Sequence, residues 1–202
     1  MTDLKTSYKE HLAKDKKLKK IIDRHDDFSL RIKKNVYLHL CGSIMSQQLS
    51  TKVADVIWKR FLALYHKQPT AEQILNTPFD TLRSIGLSNA KTNYVQNVAR
   101  FAIEKGMEQK QLKKMSDEEV ITYLTEIKGV GRWTCEMLLM FTLGREDVFA
   151  VDDLGIQQAM IGIYKLDPTD KKQLKEDMLR LSKKWSPYRT YACMHLWRWK
   201  DS

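Results

Sequence analysis

The stretch EIKGVGRWTCEM, residues 126–137, sets Gly129 and Gly131 two apart inside a pattern that is otherwise helical from about Asp117 to Leu143. A glycine in a helix interior costs roughly 1 kcal/mol against alanine, so the pair predicts a break between two helices. The first N–H groups of the second helix then lack intrahelical partners, at the end where the helix dipole favours anions. Glycine also permits positive φ and lets a ligand approach the backbone closely. Lys128 and Arg132 flank the break and add positive charge. Taken alone, G-x-G is a common inter-helix turn. Set between basic residues in a chain of net charge +10, it suits a phosphate of a nucleic-acid backbone.

The elements that must hold this turn are helical almost throughout, because Gly and Pro are scarce and no period-2 run appears. Residues 14–34 carry many lysines around Leu18, Ile21, Ile22, Phe28 and Ile32 and predict an exposed helix followed by a loop. Residues 35–65 predict two helices joined at SQQLS. Pro69-Thr70 marks a loop before TAEQIL, and Pro78 opens a short helix. The segment LRSIGLSNAK breaks at Gly86 and resumes as helix to about Glu104. It resembles LTEIKGVGRW (124–133) in placing a Gly turn between two helices. Ser116 and Glu119 form an S-x-x-E capping box, and Gly144 is placed to end the helix that follows the glycine pair. Asp152 and Asp153 precede LGIQQAMIGIY, where aspartate is a good N-cap. Ser186-Pro187 predicts a cap and first-turn proline for the last helix, YRTYACMHLWRW.

The 202 residues suit one large or two small domains. A polyanionic partner follows from the charge: nucleic acid or an anionic membrane surface. No apolar run reaches the roughly 18 residues of a membrane span, and the charged N-terminus has no signal-peptide stretch. Cys41, Cys135 and Cys193 lie far apart without C-x-x-C pairing, which predicts reduced thiols in an intracellular protein and no cysteine-built metal site.

Four separated segments, SIMSQQLSTKVA (43–54), LTEIKGVGRWTCEMLLM, DVFAVDDLGIQQAM and WSPYRTYACMHLWRW (185–199), resemble, in order, signatures of the helix-hairpin-helix DNA glycosylase superfamily. Within it the chain resembles the DNA-3-methyladenine glycosylase II (AlkA-like) group, from about residue 35 to the C-terminus. The resemblance implies an all-α fold of two helical subdomains, about 35–145 with the hairpin at 125–134, and 1–34 plus 146–202, with the active-site cleft between them. The β-rich N-terminal domain of larger members has no counterpart here.

The implied roles follow by position. Gly129, Val130, Gly131 and Thr134 would bind a DNA phosphate through backbone amides, beside Lys128 and Arg132. Carbonyls of Thr125, Ile127 and Val130 would hold a structural Na+ or K+. Asp153 matches the catalytic carboxylate by position, and one of the pair Asp152 and Asp153 would cap the helix while the other catalyses. Gln48, with Gln47 beside it, would fill the gap left by the flipped nucleotide. Trp133 and Trp197 would wall the pocket for a cationic base, with Met137 one turn on. Trp58, Trp185 and Trp199 read as core residues, and His39 and His195 as structural. No lysine follows the hairpin to form a Schiff base, and the four-cysteine iron–sulfur signature is missing. The resemblance therefore implies a monofunctional base-excision glycosylase that needs no cofactor. It would act as a monomer on double-stranded DNA carrying alkylated purines, and in a bacterium it would work at the nucleoid. Two alternatives stay open: a non-catalytic DNA-binding protein using the same hairpin, and a lyase-active enzyme for oxidised bases.

Overall fold

Helix starts are written into the chain as side chains that accept from the first turn. Asp15, Asn35, Ser50, Thr70, Ser88, Ser116, Asp153 and Asp170 all bond a backbone N–H two or three residues on. At Ser116 the expected capping box forms in full, with Glu119 returning to the Ser116 N–H at 2.7 Å. The computed structural model describes residues 4–30 and 32–202, with side chains from Tyr8 onward.

The described residues form helices and turns with no strand. In order these are α1 (Leu4–Leu12), α2 (Lys16–Ile22), α3 (Val36–Ser46), α4 (Thr51–Ala63), α5 (Ala71–Asn76), α6 (Phe79–Ser84), α7 (Asn89–Glu104), α8 (Gln109–Leu112), α9 (Asp117–Thr125) and α10 (Arg132–Leu138). A π turn over Leu139–Leu143 follows, then α11 (Leu154–Tyr164), α12 (Lys171–Ser182), a 3-10 turn over Lys183–Trp185, and α13 (Arg189–Lys200). Gly144 adopts φ +72° and ends the π turn, as its position predicts.

The chain divides into two compact units: Ile32–Leu138, and Met1–Arg31 with Leu139–Ser202. In the first unit α3 packs on α4, α7 and α10, α5 lies on α7, and α9 on α10. Leu40, Ile44, Phe61, Val95 and Leu124 fill its interior. In the second, α13 packs on α11 and α2, around Leu18, Ile22, Ile156, Met160, Trp185 and Leu196.

Four expectations need correction. Residues 14–34 do not form an exposed helix: α2 spans seven residues and buries Leu18, Ile21 and Ile22, because its apolar positions recur at helical spacing toward α13. Ser186-Pro187 does not cap α13, which starts at Arg189. The Ser186 hydroxyl instead donates to Asp147 Oδ2 (2.7 Å), and Asp147 Oδ1 accepts from the Arg189 backbone N–H (3.3 Å) at the helix start. Trp58 is half-buried rather than core. It stacks on Phe61 and edges a cavity of about 590 Å³. Trp199 too is half-buried rather than core, with its ring against Gly162, whereas Trp185, His39 and His195 are buried as expected.

Candidate functional site

The glycine pair divides its work. Gly129 has φ +107°, and a Cβ there would overlap the Tyr94 ring, so backbone conformation and packing both demand glycine. Gly131 has no positive φ, and a Cβ there would meet nothing within 4 Å. The free protein does not need glycine at 131. The open approach it leaves faces the start of α10. Val130 N–H closes the turn onto Ile127 O at 2.9 Å, and Asn97 Nδ2 braces Lys128 O at 3.3 Å. The first α10 bond runs from Cys135 N–H to Gly131 O, so the N–H groups of Arg132, Trp133 and Thr134 precede the i→i−4 ladder. The Thr134 side chain is buried, and it is its backbone that lies at the turn.

The two flanking cations differ. Lys128 is exposed. The Arg132 guanidinium is engaged by Glu118 and, through Nε at 3.2 Å, by the buried Glu136. Its charge is therefore largely matched inside the protein, contrary to the expectation that it adds net charge to the turn. The Gly86 turn repeats the Gly129 backbone, with φ +109°. Thus the resemblance between the two segments is one of conformation as well as composition.

At the α3–α4 connection, Gln48 takes φ +58°, a left-handed conformation few non-glycine residues adopt. Gln48 is exposed and Gln47 half-buried. Lys91, at the start of α7, donates to Met45 O (3.0 Å) and Gln47 O (2.7 Å) and so ties down the end of α3. The sequence offers no side-chain partner that would reveal this role, because both acceptors are carbonyls.

In the other unit Asp153 is both N-cap and side-chain acceptor. Its Oδ1 receives Ile156 N–H and the Trp197 indole Nε1–H, each at 2.8 Å. Gly155 permits this: a Cβ there would lie 3.1 Å from Trp197 Cδ1 and 3.2 Å from Asp153 Oδ1. Phe141 flanks the Trp197 ring, with centroids 6.2 Å apart. Asp152 does not cap α11. It is exposed and paired with Lys175 Nζ at 2.8 Å. The expected division gives the cap to one aspartate of the pair and the chemistry to the other; the cap falls on Asp153, the motif's match to the catalytic carboxylate, and not on Asp152. Of the remaining candidates, Trp133 is 37% exposed and Met137 8%. Trp133, Met137 and the hairpin share the first unit, Asp153 and Trp197 the second.

Among the described residues no cluster of three or more His, Cys, Asp or Glu could hold a metal ion. All three cysteines are buried free thiols. Burial pushes Cys41 up to about 12, and burial with Glu136 does the same to Cys135, which makes both poor nucleophiles. No helix of the described residues is long and apolar enough to cross a membrane.

Residues 41–186 match the family described as HhH-GPD superfamily base excision DNA repair protein. The chain is 34% identical over 186 residues to DNA-3-methyladenine glycosylase 1 of Schizosaccharomyces pombe, covering 91% of this chain and 80% of that protein. A solved structure of S. pombe 3-methyladenine DNA glycosylase in complex with abasic DNA superposes with TM-score 0.85 at 32% identity, covering 97% of both chains. DNA-3-methyladenine glycosidase of Bacillus halodurans superposes with TM-score 0.82 at 33% identity, over 95% of this chain and 88% of that one.

Proposed function

The chain belongs to the HhH-GPD superfamily of base excision DNA repair proteins, and from that membership together with the site we infer that it is a monofunctional DNA glycosylase that hydrolyses the N-glycosidic bond of alkylated bases. The observation that carries the chemistry is the Asp153 carboxylate, fixed by two donors on one oxygen at the start of α11. As the bond from C1′ to the base nitrogen breaks, its electron pair leaves with the base. Positive charge then builds on the deoxyribose. A preorganised carboxylate stabilises that charge and can orient or deprotonate the water that adds to C1′. An alkylated purine such as 3-methyladenine or 7-methylguanine already bears positive charge and departs neutral. The reaction then needs no strong general acid.

In this reading the partner is double-stranded DNA, and the protein works as a monomer wherever that DNA is kept, at the nucleoid in a bacterium. Backbone amides of Gly129, Gly131 and Thr134 hold a phosphate, Lys128 adds an exposed charge, and Val130, whose N–H is spent on Ile127 O, shapes the turn instead of donating to the ligand. Arg132 contributes by bracing α10 on α9 through Glu118 rather than as a free cation. Gln48, presented in its left-handed conformation, fills the space of the flipped nucleotide, and Gln47 anchors that turn to Lys91. In the first unit Trp133, 37% exposed, supplies an aromatic face for a cationic base, with Met137 one turn on; in the second, Trp197 offers an aromatic face and orients the carboxylate. Carbonyl oxygens of Thr125, Ile127 and Val130 are hard donors suited to Na+ or K+. Ile127 O already accepts one N–H and keeps a second lone pair for such an ion, whose role would be to stiffen the turn. No step of the hydrolysis requires it, nor an iron–sulfur cluster.

The test is Asp153→Asn. Released 3-methyladenine from methylated duplex should fall to background while affinity for the same duplex persists. Undiminished release would remove Asp153 from the reaction, and release by neither protein would favour a non-catalytic lesion binder. Borohydride trapping should yield no covalent adduct, since no lysine follows the hairpin in GRWTCEM.

A further inference from the structure

The lysine run at 14–20 takes no part in the site described above, yet the fold builds it into a concave surface. A cavity of about 460 Å³ in the unit formed by the two chain ends is lined by Lys14, Lys16, Lys17, Tyr164, Arg180 and Lys184. The frame beneath is rigid. Asp15 is buried and accepts from Tyr164 Oη (2.7 Å), Trp185 Nε1 (3.1 Å) and Lys184 Nζ (2.8 Å), as well as from the Lys17 and Leu18 N–H groups that begin α2. Lys17 Nζ donates to Tyr164 O at 3.3 Å, and both Lys17 and Lys184 lie over the Tyr164 ring, at 5.2 and 5.7 Å from its centroid. Arg180 pairs with Asp177. Asp15 and Asp177 thus offset two of the five cations, while Lys14 and Lys16 stay exposed at the rim.

We propose that this lysine-lined cavity is a second backbone-phosphate contact for DNA, carried by the unit opposite in sequence to the hairpin. A concavity lined by one sign of charge on low-dielectric walls focuses its field and concentrates a polyanion. Lysine ammonium groups serve phosphates as point charges and do not read bases. Leu166 and Leu181 also line the cavity but are half-buried in its wall, while its exposed side chains are lysines and Arg180, which fits a nucleic-acid backbone better than a membrane interface, where projecting apolar side chains must insert. The proposal rests on DNA being the partner, and it adds a contact that would position the protein without touching the lesion.

The experiment compares Lys14→Gln/Lys16→Gln with wild type, binding an undamaged duplex across a salt series. Each lost phosphate contact lowers the slope of log K on log[salt] by about 0.9, so the variant should lose about 1.8, with base release at saturating enzyme unchanged. Lys171→Gln/Lys172→Gln removes the same charge from exposed positions outside the cavity and should keep the wild-type slope. An unaltered slope in the first variant, or an equal loss in the second, overturns the proposal. So does a variant that keeps the duplex slope but loses affinity for phosphatidylserine vesicles. Because binding is measured on undamaged DNA, a protein that binds with these slopes yet releases no base would sink the enzymatic reading and leave this surface standing.

Discussion

Trp197 and Asp153, 44 residues apart in the chain, meet in one hydrogen bond: the indole Nε1–H donates to Asp153 Oδ1 at 2.8 Å. Trp197 therefore orients the carboxylate, in addition to the aromatic face proposed for it. Trp197→Phe keeps an aromatic ring and removes the donor. A hydrogen bond to a charged group contributes about 1.5–3 kcal/mol, so the single-turnover rate of base release should fall on the order of tenfold to a hundredfold, with affinity for lesion DNA little changed. Gly155→Ala should act through the same pair, because its Cβ would crowd both Trp197 and Asp153. The double variant should lose less than the product of the two single losses. Full activity in Trp197→Phe would leave stacking as the indole's contribution.

The two hairpin glycines should separate in the test tube. Gly129→Ala forces a side chain to φ +107° against Tyr94 and should lower the melting temperature by several degrees, a loss above about 1 kcal/mol. Gly131→Ala meets open space, so the melting temperature should hold. On the proposed phosphate contact the added methyl would crowd the approaching anion, so duplex affinity should drop. If Gly131→Ala binds DNA as wild type does, the phosphate does not sit at that amide.

What could be read in advance divides by range. The hairpin, the capping box at Ser116 and the stop at Gly144 are local. Each is set by residues within a few positions of one another, where backbone preference decides. The same local habit misleads at Ser186-Pro187, because a partner 39 residues back, Asp147, takes the serine hydroxyl. Position in the motif singles out Asp153 for chemistry, but local sequence does not say which of Asp152 and Asp153 caps the helix. Lys175 and Trp197, 23 and 44 residues away, tell them apart. Arg132 reads as a DNA cation until Glu118 and Glu136 are seen around it. Lys91 is the hardest case, since a lysine that bonds carbonyls leaves no complementary side chain to find.

Lys91 should matter for presentation and not for chemistry. Lys91→Met keeps the stem and removes the ammonium that holds Met45 O and Gln47 O. Gln48 loses the brace on its left-handed turn, so flipping should become harder. Expected is a drop in base release from paired duplex, with release from a lesion in an unpaired bulge much less affected. Equal losses on both substrates would place Lys91 in general stability instead.

Acid should destabilise the fold in a defined window. Burial, with the charges of His25, Lys9 and Arg198, pushes His195 down to about 3 against the opposing charge of Asp27. Burial and Lys33 push His39 down to about 4. Both imidazoles are neutral when folded but take a proton near 6.5 when unfolded. The unfolded chain therefore binds more protons below pH 6.5, and stability falls as pH drops from there toward 4 and 3. Asp15 adds to the lower part of this range. Burial works to raise its carboxyl, but hydrogen bonds from Lys184, Tyr164, Trp185 and the Leu18 N–H outweigh it and hold it at about 2, so its contribution is lost as pH falls from 3.8. Each such proton steepens the dependence by about 1.4 kcal/mol per pH unit. His195→Gln fills the site without a titrating ring. Whatever its stability at pH 7, its urea-unfolding free energy should vary less steeply between pH 6 and 4.5 than wild type, by roughly one proton's worth. The stacked His25–His195 pair, Nδ1 to Nδ1 at 3.2 Å, would otherwise have to accept charge while buried. A slope equal to wild type would mean that His195 already carries its proton in the folded protein.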